Sequence, residues 1–274
     1  MATNPGELTM TSENKYEAGR FLYCIINNSK ETDFGHIGIE DNQVYTIVFN
    51  DIGVIVHRCK AKPYQTEDKE KVADWILTHQ YVIDLATKEF GTVIPLTFDT
   101  IFKGDDKTVT NWISEEYHDL KALLLKLEGK SEYGIQIFFK NEFINKMITE
   151  SNEIQILNRE LENKSSGAAY LFKKKVEKRI QIEKKASINK YATELYSQIK
   201  TLVDNLKLES TKRKVPEQWK DKQMILNLAC LLHKDKIQKL GNLLGEVNNR
   251  EGFAVRFTGP WPPYSFVEKI KESK

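Results

Sequence analysis

The feature that most constrains this fold is a long stretch without helix-breaking residues. No proline or glycine occurs between Ala168 and Leu206, which indicates one long α-helix because these two residues are the least favourable inside helices. The later part spaces apolar residues by fours and threes, and this period of 3.5 is typical of a coiled-coil seam. The seam consists of Ile188, Ala192, Leu195, Ile199, Leu202 and Leu206. So narrow a stripe predicts a partner helix alongside it.

An apolar stripe earlier in the chain provides a candidate partner. Ile154, Leu157 and Leu161 precede the long helix and are joined to it through Asn163–Gly167. We therefore predict a protruding antiparallel coiled-coil hairpin over about residues 141–206. Pairing with a second chain is the alternative, which is less favoured because the seam spans only about three heptads.

The elements on either side of this hairpin follow a known order. Alternating apolar residues in Glu132–Lys140 predict a strand before the long helix. A weak strand near Leu206–Lys212, a buried strand in Met224–Lys234, an amphipathic helix and a strand in Gly252–Pro260 follow it. This βαββαβ order is typical of ferredoxin-like domains. We predict such a domain over residues 130–274.

The first half of the chain predicts a sheet. The β-rich regions are Gly19–Asn28 and Gln43–Lys60, and Asn50 with Asp51 divides the second region into two strands. A short buried strand, GTVIPL, begins at Gly91.

Two helices accompany these strands. One begins near Thr66 and ends at Gly91, and the other covers about Asp105–Gly129. The apolar face of the first helix comprises Val72, Ile76, His79, Ile83 and Ala86. We predict a mixed α/β sheet domain over residues 19–129 after a disordered leader, residues 1–18. The whole chain is thus expected to be an α+β protein of two domains.

A segment rich in proline and aromatic residues lies near the C-terminus. TGPWPPYSFV, Thr258–Val267, holds three of the seven prolines and one of the four tryptophans. Proline fixes φ and lacks an N–H donor, so we expect a stiff, extended segment that leaves the sheet. Because it directly follows an apolar run, its aromatic faces are expected to be buried. An exposed P-x-x-P ligand for an SH3-type domain is the alternative.

Positive charge is concentrated on the long helix. The segment from Lys173 to Lys190 contains eight Lys or Arg residues and only two acids, Glu177 and Glu183. Its local charge is +6, in a chain of net charge +2. An acidic partner is therefore expected here. Nucleic acid is the less favoured partner, since the chain has no nucleic-acid-binding motif. The candidate partner-binding residues are Lys173, Lys174, Lys175, Lys178 and Arg179.

The sequence lacks the common motifs of catalysis, nucleotide binding and metal binding. It contains no G-x-G-x-x-G, G-x-x-x-x-G-K-[ST], H-E-x-x-H, G-x-S-x-G or C-x-x-C. His57 and Cys59 share a strand face, but no fourth ligand supports a zinc site. His79 is expected to be a core histidine. We predict no catalytic residue, no metal and no cofactor.

No stretch of the chain approaches the length of a membrane-spanning helix. The N-terminus also lacks the apolar core of a signal peptide. Cys24, Cys59 and Cys230 lie far apart in apolar runs, which is typical of buried reduced thiols. These features predict a cytoplasmic protein.

Several stretches resemble, in the order of the chain, the gas vesicle accessory proteins of the GvpF/GvpL family. The most specific is the C-terminal segment, whose signature residues are Gly259, Pro260, Trp261, Pro262, Pro263, Tyr264 and Phe266. The others are GRFLYCII, VIPLTFDTIF, EYGIQIFF, SGAAYLFKKK and MILNLACLLHKDKI. One motif departs from the family pattern P-x-R-F-G-T-x-F, because Thr97 and Asp99 replace its Arg and Gly.

The resemblance implies a non-enzymatic protein of two domains that takes part in gas vesicle assembly, as a minor component or nucleating factor. The implied partners are the major gas vesicle shell protein and other accessory gas vesicle proteins. The implied location is the cytoplasm, at the gas vesicles. A basic nucleic-acid-binding protein that uses the lysine-rich helix is the alternative function.

Overall fold

A computed structural model describes residues 17–211 and 215–267. The described residues form seven α-helices and ten β-strands in two sheets, a mixed α+β architecture. They divide into two compact units, one of residues 17–128 with 262–267 and one of residues 129–261. The predicted leader lies, apart from its last two residues, outside the described part of the chain.

The first unit contains a six-stranded sheet. Its strands are β1 (Ala18–Asn27), β2 (Asp33–Gly35), β3 (Val44–Phe49), β4 (Ile52–Lys60), β5 (Val93–Pro95) and β6 (Ile101–Lys103). The order is β2-β3-β4-β1-β5, β6 also pairs with β1, and every pair is antiparallel. The sequence did not predict β2 and β6, because three residues are too few for an alternating pattern and neither strand lies in a continuous apolar run such as the one that marks β5.

Three helices accompany this sheet: α1 (Lys69–Phe90), α2 (Asp106–Glu115) and α3 (Tyr117–Leu127). Asp68 caps α1 by accepting hydrogen bonds from the N–H groups of Glu70 and Lys71. The single helix predicted over Asp105–Gly129 is wrong, since the chain breaks at Glu116 into α2 and α3. The break lets α2 contact β3 and β6 while α3 contacts β1 and β5.

The predicted apolar face of α1 is largely correct. His79, Ile83 and Ala86 are buried, as expected. Ile76 is 48% exposed, however, and Trp75, one residue earlier, is buried in its place. A shift of one residue turns a side chain by about 100° around the helix axis. Near the start of a helix, periodicity alone does not distinguish which of two adjacent apolar residues is buried.

Aromatic rings and two histidines form the core between α1 and β1. The ring of Phe21 stacks on that of His57 at 4.9 Å and lies edge-on to that of His79 at 5.6 Å. His57 Nδ1 lies 2.8 Å from the hydroxyl oxygen of Tyr23, and its Nε2 lies 3.0 Å from that of Tyr64. The Nε2 of His79 lies 3.1 Å from a backbone carbonyl oxygen, that of Leu96. Burial lowers the pKa of both histidines to about 4.

This core should make the first unit sensitive to acid. Both folded-state pKa values lie below the ~6.5 of an unfolded histidine, so the unfolded state binds more protons between pH 6.5 and 4. We expect each histidine to remove about 3 kcal/mol of stability as the pH falls through this window. Urea unfolding between pH 7.5 and 4 tests this. The variant H57Q/H79Q should show a shallower pH dependence, and an unchanged slope would contradict the assignment.

The second unit contains a four-stranded antiparallel sheet. Its strands are β7 (Lys130–Lys140), β8 (Asn205–Leu208), β9 (Lys222–His233) and β10 (Phe253–Trp261), in the order β10-β7-β9-β8. Its helices are α4 (Asn141–Thr149), α5 (Asn152–Glu162), α6 (Ser166–Lys200) and α7 (Ile237–Asn248). The weak strand predicted over Leu206–Lys212 corresponds to β8, and Lys212 lies outside the described residues.

The apolar seam of α6 is buried in a core that the sheet shares with other helices. Leu195 and Ile199 lie in one cluster with Ile137 and Leu228 of the sheet and with Ile154 of α5, a residue of the predicted partner stripe. The helix ends at Lys200, and the last residue of the predicted seam, Leu206, lies in β8 instead. The seam therefore lies in a core formed by the sheet together with α4 and α5. A 3.5 spacing indicates which face is buried, but it does not indicate what covers that face.

Candidate partner-binding face

The N-terminal half of α6 pairs with α5. Val176 of α6 and Ile154 of α5 are buried. Arg179 Nε lies 2.7 Å from Glu153 Oε1, which links the two helices, and Arg179 Nη2 lies 2.6 Å from Glu183 Oε1. The predicted stripe on α5 thus meets an earlier part of α6 than the seam.

The opposite side of this half presents three large apolar side chains to solvent. Tyr170 is 65% exposed, Leu171 is 72% exposed and Ile182 is 49% exposed. At about 100° per residue, Lys174, Lys175, Lys178 and Lys185 fall within the same ~140° sector of the helix. We call this surface the α6 outer face, and it consists of Tyr170, Leu171, Lys174, Lys175, Lys178, Ile182 and Lys185.

The structure separates the five predicted partner-binding residues. Lys174, Lys175 and Lys178 lie on the α6 outer face and are exposed. Lys173 lies beside the face, about 60° from its nearest edge. Arg179 is turned toward α5, where the Glu153 and Glu183 carboxylates hold it. Arg179 is therefore placed to stabilise the helix pair rather than to meet a partner.

The sequence patterns did not predict the apolar members of this face. Tyr170, Leu171 and Ile182 lie on the polar side of the helix, where large apolar residues have no core to join. Their position on the polar side was the sequence signal that could have indicated an exposed contact surface. Exposed apolar side chains grouped with charges of one sign are typical of a protein–protein contact surface.

The C-terminal segment begins as a strand. Contrary to the expectation that it leaves the sheet, β10 continues through Pro260 to Trp261, which pairs with Glu132 of β7. This is possible because β10 is an edge strand, where a missing N–H is tolerated. Gly259 has a φ of +121°, and a Cβ there would lie 2.8 Å from the carbonyl oxygen of Glu132. Only glycine fits that position.

The rest of the segment belongs to the first unit. Pro262 and Pro263 are buried, and Phe266 is 8% exposed. The Tyr264 hydroxyl donates a hydrogen bond to Gln80 Oε1 of α1 at 2.9 Å. Trp261 is 49% exposed, so the expectation that it is buried is wrong. The signature thus joins an edge strand of one unit to a packed turn of the other.

The comparisons with known proteins agree over nearly the whole chain. Residues 19–268 match the family model described as gas vesicle synthesis protein GvpL/GvpF. The chain belongs to the GvpL/GvpF family. It is 30% identical to gas vesicle protein L1 of Halobacterium salinarum, over 96% of this chain and 95% of that protein. It is 31% identical to gas vesicle protein L of Haloferax mediterranei, over 97% of this chain and 91% of that protein.

A solved structure of the GvpL/GvpF family has the same fold. The crystal structure of the gas vesicle protein GvpF from Anabaena sp. PCC7120 matches with a TM-score of 0.70 at 19% identity, over 93% of this chain and all of that chain. No helix among residues 17–211 and 215–267 is long and apolar enough to cross a bilayer.

The backbone accounts for one departure from the GvpL/GvpF pattern. Asp99, which stands where the family usually has glycine, has a φ of +69°. Aspartate is among the few residues that tolerate this conformation. Its Oδ1 accepts a hydrogen bond from the N–H of Tyr64 at 2.9 Å. The carboxylate therefore anchors the segment between β4 and α1.

Substitutions at Asp99 should separate backbone strain from hydrogen bonding. Asn keeps both the acceptor and the tolerance of positive φ, so we expect little change in stability. Gly loses only the acceptor and should cost about 1 kcal/mol, whereas Ala loses both and should cost about 2 kcal/mol. Urea unfolding of the three variants checks this order, and an Ala variant as stable as the Asn variant would contradict it.

Two alanine substitutions in the C-terminal segment should lower the free energy of unfolding by different amounts. Phe266→Ala removes a buried ring and should destabilise the protein by about 3 kcal/mol or more. Trp261→Ala removes a half-exposed ring and should cost less than half of that. Chemical unfolding of the two variants provides the comparison. Equal losses would mean that Trp261 is buried after all.

Proposed function

We propose that this protein is an accessory factor in gas vesicle assembly that binds the major shell protein and nucleates or assists its assembly. Membership of the GvpL/GvpF family carries the gas vesicle role. Identities of 30% and 31% to two L proteins, against 19% to the GvpF of known structure, favour an L-type member.

The α6 outer face is the proposed contact with the shell protein. A shell subunit is small and strongly apolar, so a factor that holds it before assembly needs exposed apolar side chains of its own. Tyr170, Leu171 and Ile182 provide these along about 18 Å of helix. The lysines between them would pair with acidic groups of the bound subunit and set its orientation.

The architecture behind this proposal is a ferredoxin-like domain with a coiled-coil hairpin. The strand order β10-β7-β9-β8, with helices before β8 and between β9 and β10, supports the ferredoxin-like assignment. The pairing of α5 with α6 supports the hairpin, now over about residues 152–180. The proposed domains are residues 19–129 and 130–261, with the C-terminal turn assigned to the first.

We further propose that the protein has no enzymatic activity and no cofactor, and that it acts in the cytoplasm at the gas vesicles. Other accessory gas vesicle proteins are the proposed additional partners. The support is the resemblance to accessory proteins, together with the lack of catalytic motifs in the sequence.

Capture of the purified shell protein on the immobilised full-length chain tests the proposed contact. Leu171→Ser with Ile182→Ser, and separately Lys174→Glu with Lys178→Glu, should each weaken capture at least tenfold. Leu208→Ser is the matched apolar control, because Leu208 is 67% exposed on β8. Lys88→Glu with Lys107→Glu is the charge control in the first unit. Both controls should capture the shell protein like the native chain.

Capture that is unaffected by either α6 variant would refute the α6 outer face as the contact. The same proteins are also titrated with labelled double-stranded DNA. If DNA binding is salt-dependent and lost in the lysine variant while shell capture persists, the nucleic-acid function replaces the proposed one.

A further inference from the structure

The first unit contains a cleft that the proposed function does not use. It has a volume of about 590 Å³ and is bounded by the end of β4, the segment between β4 and α1, and the first turns of α1. This volume is within the ~300–1,000 Å³ range of ligand sites. We call it the β4–α1 cleft, and its lining comprises Glu40, Asn42, Arg58, Cys59, Lys60, Lys62, Pro63, Tyr64, Gln65, Thr66, Lys71 and Trp75.

Positive charge dominates this lining. Apart from Lys62, the charged lining comprises three cations, Arg58, Lys60 and Lys71, and one acid, Glu40, which leaves an excess of two positive charges. Lys71 Nζ lies 2.9 Å from Glu40 Oε1, so the charge of this acid is paired with that of Lys71. The Arg58 guanidinium lies 3.8 Å from Asp106, and its side chain is 73% exposed. Arg58 therefore remains accessible to an anion.

One wall of the cleft is held rigidly. The Tyr64 hydroxyl lies 3.0 Å from His57 Nε2, and the Tyr64 N–H donates to Asp99. Trp75, 4% exposed, forms part of the apolar base. A wall fixed before binding lowers the entropic cost of association.

The chemistry of the lining favours carboxylates on an extended chain over a single phosphate. Phosphate sites commonly use converging free N–H groups at a helix N-terminus. Here Asp68 already accepts from the N–H groups of Glu70 and Lys71 at the start of α1. The cationic groups instead come from separate positions on β4, the connecting segment and α1, and the side-chain amide of Gln65 adds a group that suits a peptide backbone.

We propose that the β4–α1 cleft binds an acidic peptide segment of a partner protein. The carboxylates of that segment pair with Arg58 and Lys60, and its backbone lies over Pro63. This site is on the first unit and does not depend on the α6 outer face. Loss of one site therefore leaves the other open to measurement.

Fluorescence anisotropy with a labelled hexaglutamate peptide tests the proposal on the full-length chain. Arg58→Gln with Lys60→Gln should weaken binding at least tenfold. Lys174→Gln with Lys178→Gln on the α6 outer face removes the same charge and should change binding less than twofold. The reverse pattern would overturn the proposal, as would equal weakening by both pairs. A labelled hexalysine peptide should not bind.

A second measurement needs no substitution. Cys59 lines the cleft and is partly exposed, whereas Cys24 and Cys230 are buried. Hexaglutamate should slow the alkylation of Cys59 by iodoacetamide at least threefold, and an unchanged rate would count against the cleft. ATP and inorganic phosphate are run as competitors. If either protects Cys59 at a lower concentration than hexaglutamate does, the cleft is a phosphate site and the peptide assignment is wrong.

Discussion

The burial of α6 on the second sheet is the contact on which the rest of this unit depends. Leu195 and Ile199 are fully buried in one core with residues of strands β7 and β9, and this fixes the rotation of a 35-residue helix. A helix is stiff, so the orientation of its C-terminal half dictates which side of its N-terminal half meets α5 and which side meets solvent. The exposed position of Tyr170, Leu171 and the neighbouring lysines follows from packing that occurs more than twenty residues away.

The first unit is organised around a hydrogen-bonded group of polar side chains inside an apolar core. His57 lies between the hydroxyls of Tyr23 and Tyr64, which lets a strand, a loop and an aromatic cluster share one buried hydrogen-bond chain. Such groups are costly to bury unless they are paired. The pairing of Tyr64 with His57, together with its N–H bond to Asp99, also fixes the wall of the β4–α1 cleft. The core and the cleft are therefore connected through Tyr64, which contributes to both.

The two proposed contact surfaces differ in the chemistry of recognition. The α6 outer face is convex and places exposed apolar side chains among lysines, which suits a subunit that must bury apolar surface. The β4–α1 cleft is concave and mainly cationic, which suits an acidic segment. A factor with two such surfaces can hold a shell subunit and a second assembly protein independently. This is a physical rationale for the proposed accessory role.

The sequence alone determined the longer strands and the family. Alternation located β7, runs of β-favouring or apolar residues located β1, β3, β4, β9 and β10, capping residues indicated the start of α1 to within a few residues, and TGPWPPYSFV pointed to the GvpL/GvpF family. The tertiary structure decided what covers each apolar face, the break at Glu116, the exposure of Trp261 and the assembly of the cleft. Periodicity indicates that a face is buried because apolar residues recur on the side of a helix or strand that is shielded from water. The identity of the covering surface depends on contacts between distant residues, which no local spacing encodes.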